Sequence, residues 1–479
     1  MLSPVEMRIL DRNARHFGIR ASDLMENAGK AVADFARDEF AASGKRILVV
    51  CGTGNNGGDG LVVARLLSKE ARVTVLLARP PDQLGSEETR LNFERLQDVP
   101  VVEGLDGSEA AMSQSDLIVD ALLGTGASGP LREPYPELIR EMNSAGKSIL
   151  SVDVPSGFGT DSAVRPTATV TLHDLKEGMT EANSGRIRVA DIGIPARVAR
   201  FIGPGEFLLY PKPRADSHKG ENGAVLIVAG GPFTGAPALV AMGALGVGAD
   251  LARIATPAIA AQVVAGFSPN FIVHPLVGHR LLREDIDIIL DLAQKATALA
   301  IGPGIGDSPG SLEAIRAIVK AVELPMVLDA DAIRAVGAET TVLARKRVVV
   351  TPHAREFQSL TGKTLPIELE AKVEMTRTAS KSLGVTILLK GPVDIVTDGL
   401  HTKLNYTHNA GMTVGGTGDV LCGVVGGLLS KGAAPFDAAR LAAFTNGYAG
   451  DLAFKEKSYG LTATDVADHL GRVLATFVG

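Results

Sequence analysis

The stretch NAGMTVGGTGDVLCGVVGGLLSKG, residues 409–432, decides the fold of the second half of this chain. Gly415, Gly416 and Gly418 precede an apolar run that predicts a buried helix. Backbone N–H groups and the positive end of the helix dipole would converge there, which suits a phosphoryl group. Asp419 falls in the first helical turn, where a carboxylate can accept a proton from an attacking hydroxyl while the amides stabilise transferred charge. For an isolated Gly-Asp pair, a favourable first-turn acid is an equally good explanation.

A second polar segment precedes this loop. Residues 390–394 read KGPVD and join two predicted strands, 385–390 and 393–397. The P-loop pattern G-x-x-x-x-G-K-[ST] does not occur in the sequence, so a phosphate donor would have to be held in another way. Taken alone, the KGPVD segment predicts only a polar hairpin connection.

Length and patterning predict two α/β domains. The chain has 479 residues, and single cores stop growing at about 250 to 300. A segment dense in Pro, Gly and charge, residues 203–223, marks the boundary, which we place between residues 1–210 and 211–479. In both domains strands alternate with helices, which predicts parallel sheets covered on both faces. The predicted strands are 46–51, 72–78, a short one near 101, 116–121, 148–153, 167–172, 186–190, 224–230, and others near 252, 298, 325, 347, 385 and 393. Helices are predicted to begin at Pro4 and near Ser22 and to cover 58–69, 86–97 and 134–142, with two long helices at the end of the chain.

Composition excludes several classes of function. The net charge of −6, without a basic stripe, disfavours binding to nucleic acid or to an anionic membrane. The two cysteines, Cys51 and Cys422, give neither a disulfide framework nor zinc-ligand spacing. No apolar run is long enough to span a bilayer, and the N-terminal residues lack a signal-peptide core. We expect a soluble, cytoplasmic protein.

The first half contains a glycine-rich loop after a predicted strand. Residues 52–60 read GTGNNGGDG and satisfy G-x-G-x-x-G, a dinucleotide-binding pattern. The next strand ends in Arg79-Pro80-Pro81, without the acidic residue that holds the ribose hydroxyls of NAD. The loop is also too polar to serve only for close backbone approach to a pyrophosphate. An ordinary NAD-dependent dehydrogenase is therefore disfavoured.

Dispersed motifs resemble a known family. In the second half, residues 235–251, 327–333, 351–357, 389–394 and 409–423 have the order and spacing of the ADP/ATP-dependent NAD(P)H-hydrate dehydratases, which are ribokinase-like. In the first half, the motifs resemble the NAD(P)H-hydrate epimerase domain, a Rossmann-like three-layer unit; they are GTGNNGGDG (52–60), VDALLGTG (119–126) and SVDVPSG (151–157). Nearly the whole chain is thus similar to bifunctional NAD(P)H-hydrate repair enzymes.

The resemblance implies two activities on damaged cofactors. The dehydratase would use ADP, or ATP in some members, to phosphorylate the C6 hydroxyl of hydrated NADH or NADPH, and phosphate would then leave to restore the ring. Two-domain members favour ADP, which would yield AMP and phosphate. The epimerase would interconvert the R and S hydrates, since the kinase-like site resembles enzymes acting on S only. A ribose carboxylate would repel a 2′-phosphate, so its absence suits an enzyme that repairs both NADHX and NADPHX. We also expect a homo-oligomer.

For the dehydratase, the family implies a set of site residues. Asp419 would be the base and would also contact the substrate, while Gly418 and neighbouring amides would bind phosphate, with Mg²⁺ bridging the nucleotide oxygens. Further substrate contacts would be Ala236, Gly304 and His353. The nucleotide would be held by Lys390, Gly391, Pro392, Val393 and Asp394. His353 on its own is better explained as a residue at a helix start, with Thr351 as N-cap and Pro352 at the first helical position.

For the epimerase, Asp120 ends the strand DLIVD, where open α/β sheets place ligands. The family implies that it binds a monovalent cation, K⁺, together with Asn56 and Ser156, and that it acts as a catalytic residue. The implied substrate contacts are Asn55, Asn56, Gly57, Gly58, Asp59, Gly124, Thr125, Gly126, Ala127, Ser128, Gly129, Pro130, Tyr135 and Asp153. Asp153 alone would be read as an ordinary turn residue.

The sequence departs from the family pattern at one turn, and two alternative functions have to be weighed. The turn GPFTGAP, residues 231–237, lacks the tyrosine often found in the family before its Gly-Ala, which leaves contacts to the nicotinamide end open. A vitamin-type kinase would leave a phosphorylated product rather than free phosphate. A non-catalytic scaffold in RNA metabolism, which domains similar to the first half can form, is disfavoured by Asn56, Asp120 and Ser156 and by the acidic net charge.

Overall fold

The computed structural model describes residues 1–126 and 129–478 and divides into two compact units, Met1–Ala199 and Arg200 onward. This division lies earlier in the chain than the predicted 210/211 boundary. Residues 200–210 pack within the second unit, since Ile202 N donates to Leu404 O at 2.8 Å and the Phe207 ring stacks on Phe477 with centroids 5.1 Å apart. We therefore place the boundary at 199/200.

The first unit is built on a seven-stranded, wholly parallel sheet. Its strands are β1 (Arg46–Cys51), β2 (Arg72–Leu77), β3 (Val101–Glu103), β4 (Leu117–Ala121), β5 (Ser148–Val152), β6 (Ala168–Leu172) and β7 (Arg186–Ala190). They lie in the spatial order β3-β2-β1-β4-β5-β6-β7. Alternate residues of β1 are buried in different clusters, Ile47 and Val49 in one and Leu48 and Val50 in the other. Both faces of the sheet are therefore covered, which confirms the predicted three-layer α/β unit.

Helices of the first unit cover these faces. They are α1 (Pro4–His16), α2 (Ala21–Phe40), α3 (Asn55–Leu67), α4 (Glu87–Glu94), α5 (Ser108–Gln114), α6 (Tyr135–Ser144), α7 (Glu181–Ser184) and, at the boundary, α8 (Ala196–Arg200). Ser3 caps α1 by accepting from Glu6 N at 3.2 Å, as its sequence predicts. The prediction that α3 begins at residue 58 was wrong: Gly54 is its N-cap, so Asn55 and the following residues belong to the first helical turn.

The second unit contains a nine-stranded sheet. Its strands are β8 (Ala224–Val228), β9 (Leu251–Pro257), β10 (Phe271–Leu276), β11 (Ala298–Ile301), β12 (Met326–Leu328), β13 (Val348–Val350), β14 (Thr386–Leu389), β15 (Asp394–Thr397) and β16 (Thr402–Asn405). The order is β10-β9-β8-β11-β12-β13-β14-β15-β16, parallel except for the antiparallel pairs β14–β15 and β15–β16. The hairpin predicted around residues 390–394 is confirmed, whereas β10 and β16 were not predicted.

Helices flank this sheet on both faces, and α16 carries the glycine-rich loop. The helices are α9 (Gly235–Gly246), α10 (Ala258–Phe267), α11 (Ile286–Ala293), α12 (Pro309–Ala321), α13 (Asp331–Gly337), α14 (Ala354–Thr361), α15 (Leu369–Leu383), α16 (Thr417–Ser430), α17 (Pro435–Lys457) and α18 (Ala463–Phe477). Gly243 of α9 and Gly423 of α16 let the helices pack closely, because a Cβ at Gly243 would collide with Val420 O and one at Gly423 with Val240 O. Within the described part of the chain, no helix has the length and apolarity needed to cross a membrane.

Two candidate active sites

The first candidate site lies where α16 begins. Gly416 is the helix N-cap with φ of 95°, a left-handed conformation that favours glycine. Asp419 lies in the first helical turn, as the sequence predicts. Lys390, which directly follows β14, extends its side chain to this loop. Its Nζ would lie 3.5 Å from a Cβ atom added to Gly418. The structure thus brings an ammonium group, helical N–H groups and a carboxylate together.

Acidic side chains hold Lys390 in place. Its Nζ donates to Asp329 Oδ1 at 2.8 Å and lies 3.7 Å from Glu356 Oε2. Thr351 Oγ1 donates to the same Asp329 oxygen at 2.7 Å. Burial lowers the pKa of Lys390, but attraction to Asp329 and Glu356 outweighs it, so the pKa is raised and the ammonium stays charged. Asp329 and Glu356 lie inside motifs of the sequence, yet no role was predicted for either.

Asp419 is poised to act as a base near neutral pH. Burial first, and repulsion by Asp329 second, raise its pKa to about 6, while Lys390 opposes the shift. A carboxylate with this pKa is ionised at pH 7 and is a stronger base than an exposed aspartate.

His353 belongs to the same group of side chains, although not as its sequence alone suggested. The residue is itself the N-cap of α14: its Nδ1 accepts from Arg355 N at 3.1 Å and from Glu356 N at 3.3 Å. The expectation that Thr351 is the cap was wrong, because that hydroxyl is buried and bonded to Asp329. The ring is half exposed and its Nε2 lies 3.6 Å from Glu356 Oε1, so its outer edge remains open to a ligand.

Of the other predicted substrate residues of this unit, Ala236 lies at the start of α9, and Gly304, in the loop after β11, packs against it. A Cβ on Gly304, whose φ is 70°, would come within 3.1 Å of Ala236 Cβ. Further along α9, Leu239 packs against Gly416, because a Cβ on Gly416 would be 2.6 Å from Leu239 Cδ1. The start of α9 therefore borders the glycine-rich loop.

The predicted nucleotide loop is a hairpin braced by its own aspartate. Asp394 Oδ1 accepts from Gly391 N at 3.1 Å, and Oδ2 accepts from Asn405 Nδ2 at 3.0 Å. Burial raises the pKa of Asp394. Gly391 and Pro392 at the tip are exposed and Val393 is partly buried. Asp394 thus shapes the loop, and the tip is left open to solvent.

The second candidate site lies in the first unit at the carboxyl ends of its strands. Gly52 and Gly57 allow the backbone to fold tightly here, because a Cβ on Gly52 would collide with Leu122 O and one on Gly57 with Gly52 O. Gly58 packs against Met25 in the same way. The glycines therefore shape the loop, and the side chains of α3 are what face the neighbouring cavity.

That cavity has a volume of about 440 Å³. Its walls come from α1, α2, α3 and α4, from the end of β6, and from the segments after β4, β5 and β7. Of the predicted substrate residues, those lining it are Asn55, Asn56, Asp59, Gly124, Thr125, Gly126 and Asp153. Met7, Arg8, Asp11 and Arg15 of α1 also line it, and no role was predicted for them. The sequence gives no motif for this contribution, since α1 reads as an ordinary capped helix.

Asp120 lies behind the cavity wall rather than on it. Its carboxylate is fully buried and accepts from Ser151 Oγ at 2.7 Å, from Ser156 N at 2.9 Å and from the Ser156 hydroxyl. Burial raises its pKa, and the hydrogen bonds from Ser156 oppose this. Ser156 Oγ also accepts from Leu123 N at 2.9 Å. Asn56 lies against the same loop, because a Cβ added to Gly124 would be 3.2 Å from Asn56 Oδ1. Asn56, Asp120 and Ser156 therefore meet at the loop of residues 122–124.

Asp153 is held by a lysine for which no role was predicted. Lys176 forms an ion pair with Asp153, and both side chains are almost fully buried. Asp153 has φ of 66° and accepts from Thr125 Oγ1 at 3.3 Å. Its left-handed backbone and buried partner distinguish it from an ordinary turn residue.

The remaining predicted residues lie outside this cavity. Tyr135 OH is 3.5 Å from Thr53 Oγ1, and Gly129 lines an adjacent cavity of about 180 Å³ that Lys176 also borders. Pro130 is exposed. Ala127 and Ser128 fall outside the residues that the structure describes.

Comparison with known proteins identifies both halves. The family model described as NAD(P)H-hydrate dehydratase matches residues 225–472, and the model described as YjeF-related protein N-terminus matches residues 21–178. In structure, the chain resembles a ribokinase-like superfamily protein from Enterococcus faecalis with 21% identity and a TM-score of 0.52, covering 58% of this chain and 96% of that one. This likeness concerns the fold alone and agrees with the predicted ribokinase-like fold.

Relatives match along nearly the whole chain. A bifunctional NAD(P)H-hydrate repair enzyme from Pyrobaculum aerophilum is 41% identical, covering 99% of this chain and 98% of the relative. Another, from Methanothermobacter thermautotrophicus, is 40% identical, covering 99% of this chain and 95% of the relative. These matches confirm the resemblance that the motifs indicate, and the chain belongs to the family of bifunctional NAD(P)H-hydrate repair enzymes.

Proposed function

We propose that this chain repairs hydrated NADH and NADPH in two steps, epimerisation of the R and S hydrates in the first unit and ADP-dependent dehydration of the S hydrate in the second. One observation carries the proposal. Asp419, whose pKa of about 6 suits a general base, and the Lys390 ammonium group lie together at the N-terminus of α16, in a chain of this family.

The dehydratase step needs a leaving group better than hydroxide. Asp419 removes the proton of the C6 hydroxyl as its oxygen attacks the terminal phosphorus of ADP, and AMP departs. Lys390 and the N–H groups around Gly418 stabilise the transferred phosphoryl group. Phosphate then leaves C6 and a proton leaves C5 to water, which restores the C5–C6 double bond of the ring. ATP in place of ADP would follow the same course and release ADP.

In the second unit, Mg²⁺ would be held mainly by the phosphates of the bound nucleotide rather than by a cluster of protein ligands. The described residues contain no cluster of three or more His, Cys, Asp or Glu side chains able to hold a metal ion. Mg²⁺ in phosphoryl-transfer sites is held mainly by substrate phosphates and by one or two carboxylates. Bound there, it would neutralise charge on the phosphate oxygens. The exposed tip of the hairpin at Gly391 and Pro392 is the proposed contact for the nucleotide.

His353, Gly304 and Ala236 are proposed to contact the hydrated nicotinamide nucleotide. Glu356 orients the His353 ring, because its Oε1 lies 3.6 Å from His353 Nε2 and its Oε2 accepts a hydrogen bond from His353 N at 2.8 Å. A histidine fixed in this way offers its exposed edge to a polar group of the substrate.

The first unit fits a cation at the loop shared by Asn56, Asp120 and Ser156. Each side chain carries an oxygen, the ligand type that hard cations prefer. Asp120 and Ser156 are fully buried there, and Asn56 Oδ1 lies beside Gly124. We propose that these residues hold K⁺, which would balance the buried Asp120 charge and fix the loop at Gly124. The cavity beside this loop would take the substrate, with its pyrophosphate at the first N–H groups of α3.

Incubation with hydrated NADH tests the proposal. S hydrate with ADP and Mg²⁺ should yield free phosphate, AMP and the absorbance of reduced nicotinamide in equal amounts. A stable phosphorylated product would instead indicate a small-molecule kinase. Salt-dependent RNA binding without turnover would indicate a scaffold. The homo-oligomer expected from the sequence remains a prediction, which sedimentation would check.

A further inference from the structure

Three carboxyl groups line the 440 Å³ cavity without a protein partner among the described residues, and two of them, Asp11 and Asp59, have a pKa that burial raises. Asp11 reaches it from α1 and Asp59 from α3. The Asp59 side chain is buried, with only 7% of the residue exposed. Throughout the described ranges, 1–126 and 129–478, neither carboxyl group takes part in a hydrogen bond or an ion pair. An unpartnered buried carboxyl lowers stability, which suggests that its partner is a ligand.

Two other carboxyl groups nearby are already engaged. Asp120 accepts several hydrogen bonds and is fully enclosed, and Asp153 is paired with Lys176. Neither has a free oxygen edge comparable to those of Asp11 and Asp59. Glu88 of α4 also lines the cavity, and of the carboxyl groups left for proton transfer Asp11 and Asp59 are the two whose pKa burial raises.

We propose that Asp11 and Asp59 are the acid–base pair that interconverts the R and S hydrates at C6, acting on opposite faces of the ring. This inference rests on the proposed epimerase activity. Asp11 lies on α1, before residues 21–178 that the family model matches. The helix would thus contribute a catalytic residue in addition to closing one wall of the cavity.

The chemistry requires one acid and one base. C6 carries a hydroxyl and is bonded to the ring nitrogen, so it is a hemiaminal carbon. Asp59 donates a proton to the C6 hydroxyl, the C–O bond breaks, and the nitrogen lone pair forms a C=N bond, which leaves an iminium ion and water. A water molecule then attacks C6 from the other face, and Asp11 accepts its proton as the new C–O bond forms and the nitrogen regains its lone pair. One water leaves and one enters, and a proton passed from Asp11 to Asp59 through water resets the pair.

Charges around the cavity favour this division of roles. Burial first, then repulsion by Asp153 and Asp11, raise the pKa of Asp59 well above its ordinary value, which favours its protonated, proton-donating form. Burial and Asp153 raise the pKa of Asp11 to about 6, against the pull of Arg15 and Lys176, so it is ionised at pH 7. The remaining titratable groups facing the pair are Arg8 of α1, Glu88 of α4 and the buried Cys51 of β1.

The test uses the full chain, in which the dehydratase reports on the S hydrate. An R-enriched mixture of NADH hydrates is supplied with excess ADP and Mg²⁺, and formation of NADH is followed in a fast S phase and a slower R phase. Asp11→Asn and Asp59→Asn should each slow the R phase at least about 100-fold, down to the spontaneous rate, and leave the S phase within twofold of wild type. Asp38→Asn, on the exposed side of α2, is the matched control and should leave both phases unchanged.

An R phase within tenfold of wild type in either variant would overturn the inference. If wild type itself shows no R phase above the spontaneous rate, the proposed epimerase function fails, which is a distinguishable result. Should an asparagine variant unfold the first unit, Asp11→Glu and Asp59→Glu keep the carboxyl group but displace it, and should slow the R phase at least tenfold in a folded protein.

Oxygen exchange gives a second readout that a structural role would not change. In H₂¹⁸O, the R phase should place ¹⁸O on C6 and the dehydratase should carry it into the released phosphate. The S phase should give unlabelled phosphate. Unlabelled phosphate from the R phase would show that the C6–O bond is not broken and would overturn the pair's role.

Discussion

Lys390 Nζ lies 2.8 Å from Asp329 Oδ1, and the same ammonium group lies over Gly418 at the start of α16. The Asp329 side chain is 3% exposed and that of Lys390 21%. The pair therefore places a positive charge beside the proposed phosphoryl site and neutralises a carboxylate that would otherwise repel the nucleotide.

Lys390→Met should abolish dehydration and also destabilise the second unit. Removing one partner of a buried pair costs roughly 3 kcal/mol, because the other charge is left buried and unpaired. Urea denaturation measures this change. Lys363→Met, at an exposed position, is the control. Adding Asp329→Asn to Lys390→Met should restore stability without restoring activity, and recovery of activity in that double variant would contradict the role of Lys390.

Asp419→Asn should lower nucleotide-dependent dehydration at least about 100-fold, because it removes the base and keeps the N–H groups that bind phosphate. Nucleotide affinity, measured by calorimetry, should stay within a few-fold. Epimerisation, which we assign to the other unit, should be unchanged. Dehydration above a tenth of the wild-type rate would show that Asp419 is a first-turn helix acid without a catalytic role.

The dehydration rate should depend on the ionisation of Asp419. Its pKa is raised to about 6, so the base is present above that pH and is protonated below it. With the S hydrate as substrate, kcat/KM should be level above pH 7 and fall about tenfold per pH unit below pH 6. A profile that stays level down to pH 5 would contradict the assignment of Asp419 as base.

Potassium should stabilise the first unit through Ser156 and Asp120. Ligand that binds only the folded state raises the melting temperature as its concentration rises. Calorimetry should show such a rise with KCl and a smaller one with LiCl for wild type. Ser156→Ala should lose the difference, and Ser162→Ala, at an exposed position, should retain it. Equal responses to the two salts in wild type would contradict the proposed K⁺ site.

The domain boundary can be tested with fragments. A fragment of residues 200–479 keeps the contacts of Ile202 with Leu404 and of Phe207 with Phe477, whereas one beginning at residue 211 loses both. The longer fragment should melt at a higher temperature and consume only the S hydrate. Equal melting temperatures would favour the 210/211 boundary.

Much of the fold could be predicted because its strands are apolar runs separated by glycine-rich turns. β10 and β16 escaped prediction for physical reasons: β10 contains Pro275 and is only partly buried, and β16 is a short strand at the sheet edge with polar residues. The early start of α3 was missed because Gly57 and Gly58 weaken the helical pattern, and only the packing against Gly52 and Met25 explains them.

The candidate sites were predictable only where a motif marks them. Gly418 and Asp419 follow from a loop and a helix start that are adjacent in sequence. Lys176 and Asp11 could not be found in this way, because their relation to Asp153 and the cavity depends on elements far apart in the chain. Asp120 shows the reverse: its position at a strand end predicts a ligand contact, but its hydrogen bonds enclose it behind the wall.

The most direct test of the central claim, that one chain holds two complementary repair sites, is complete conversion of an R-enriched mixture of hydrates with excess ADP and Mg²⁺. Wild type should convert all of it to NADH, with one phosphate released per NADH formed. Asp120→Ala should stop once the S hydrate is exhausted, apart from slow spontaneous interconversion. Full conversion by Asp120→Ala at the wild-type rate, or an R hydrate that wild type leaves untouched, would contradict the account.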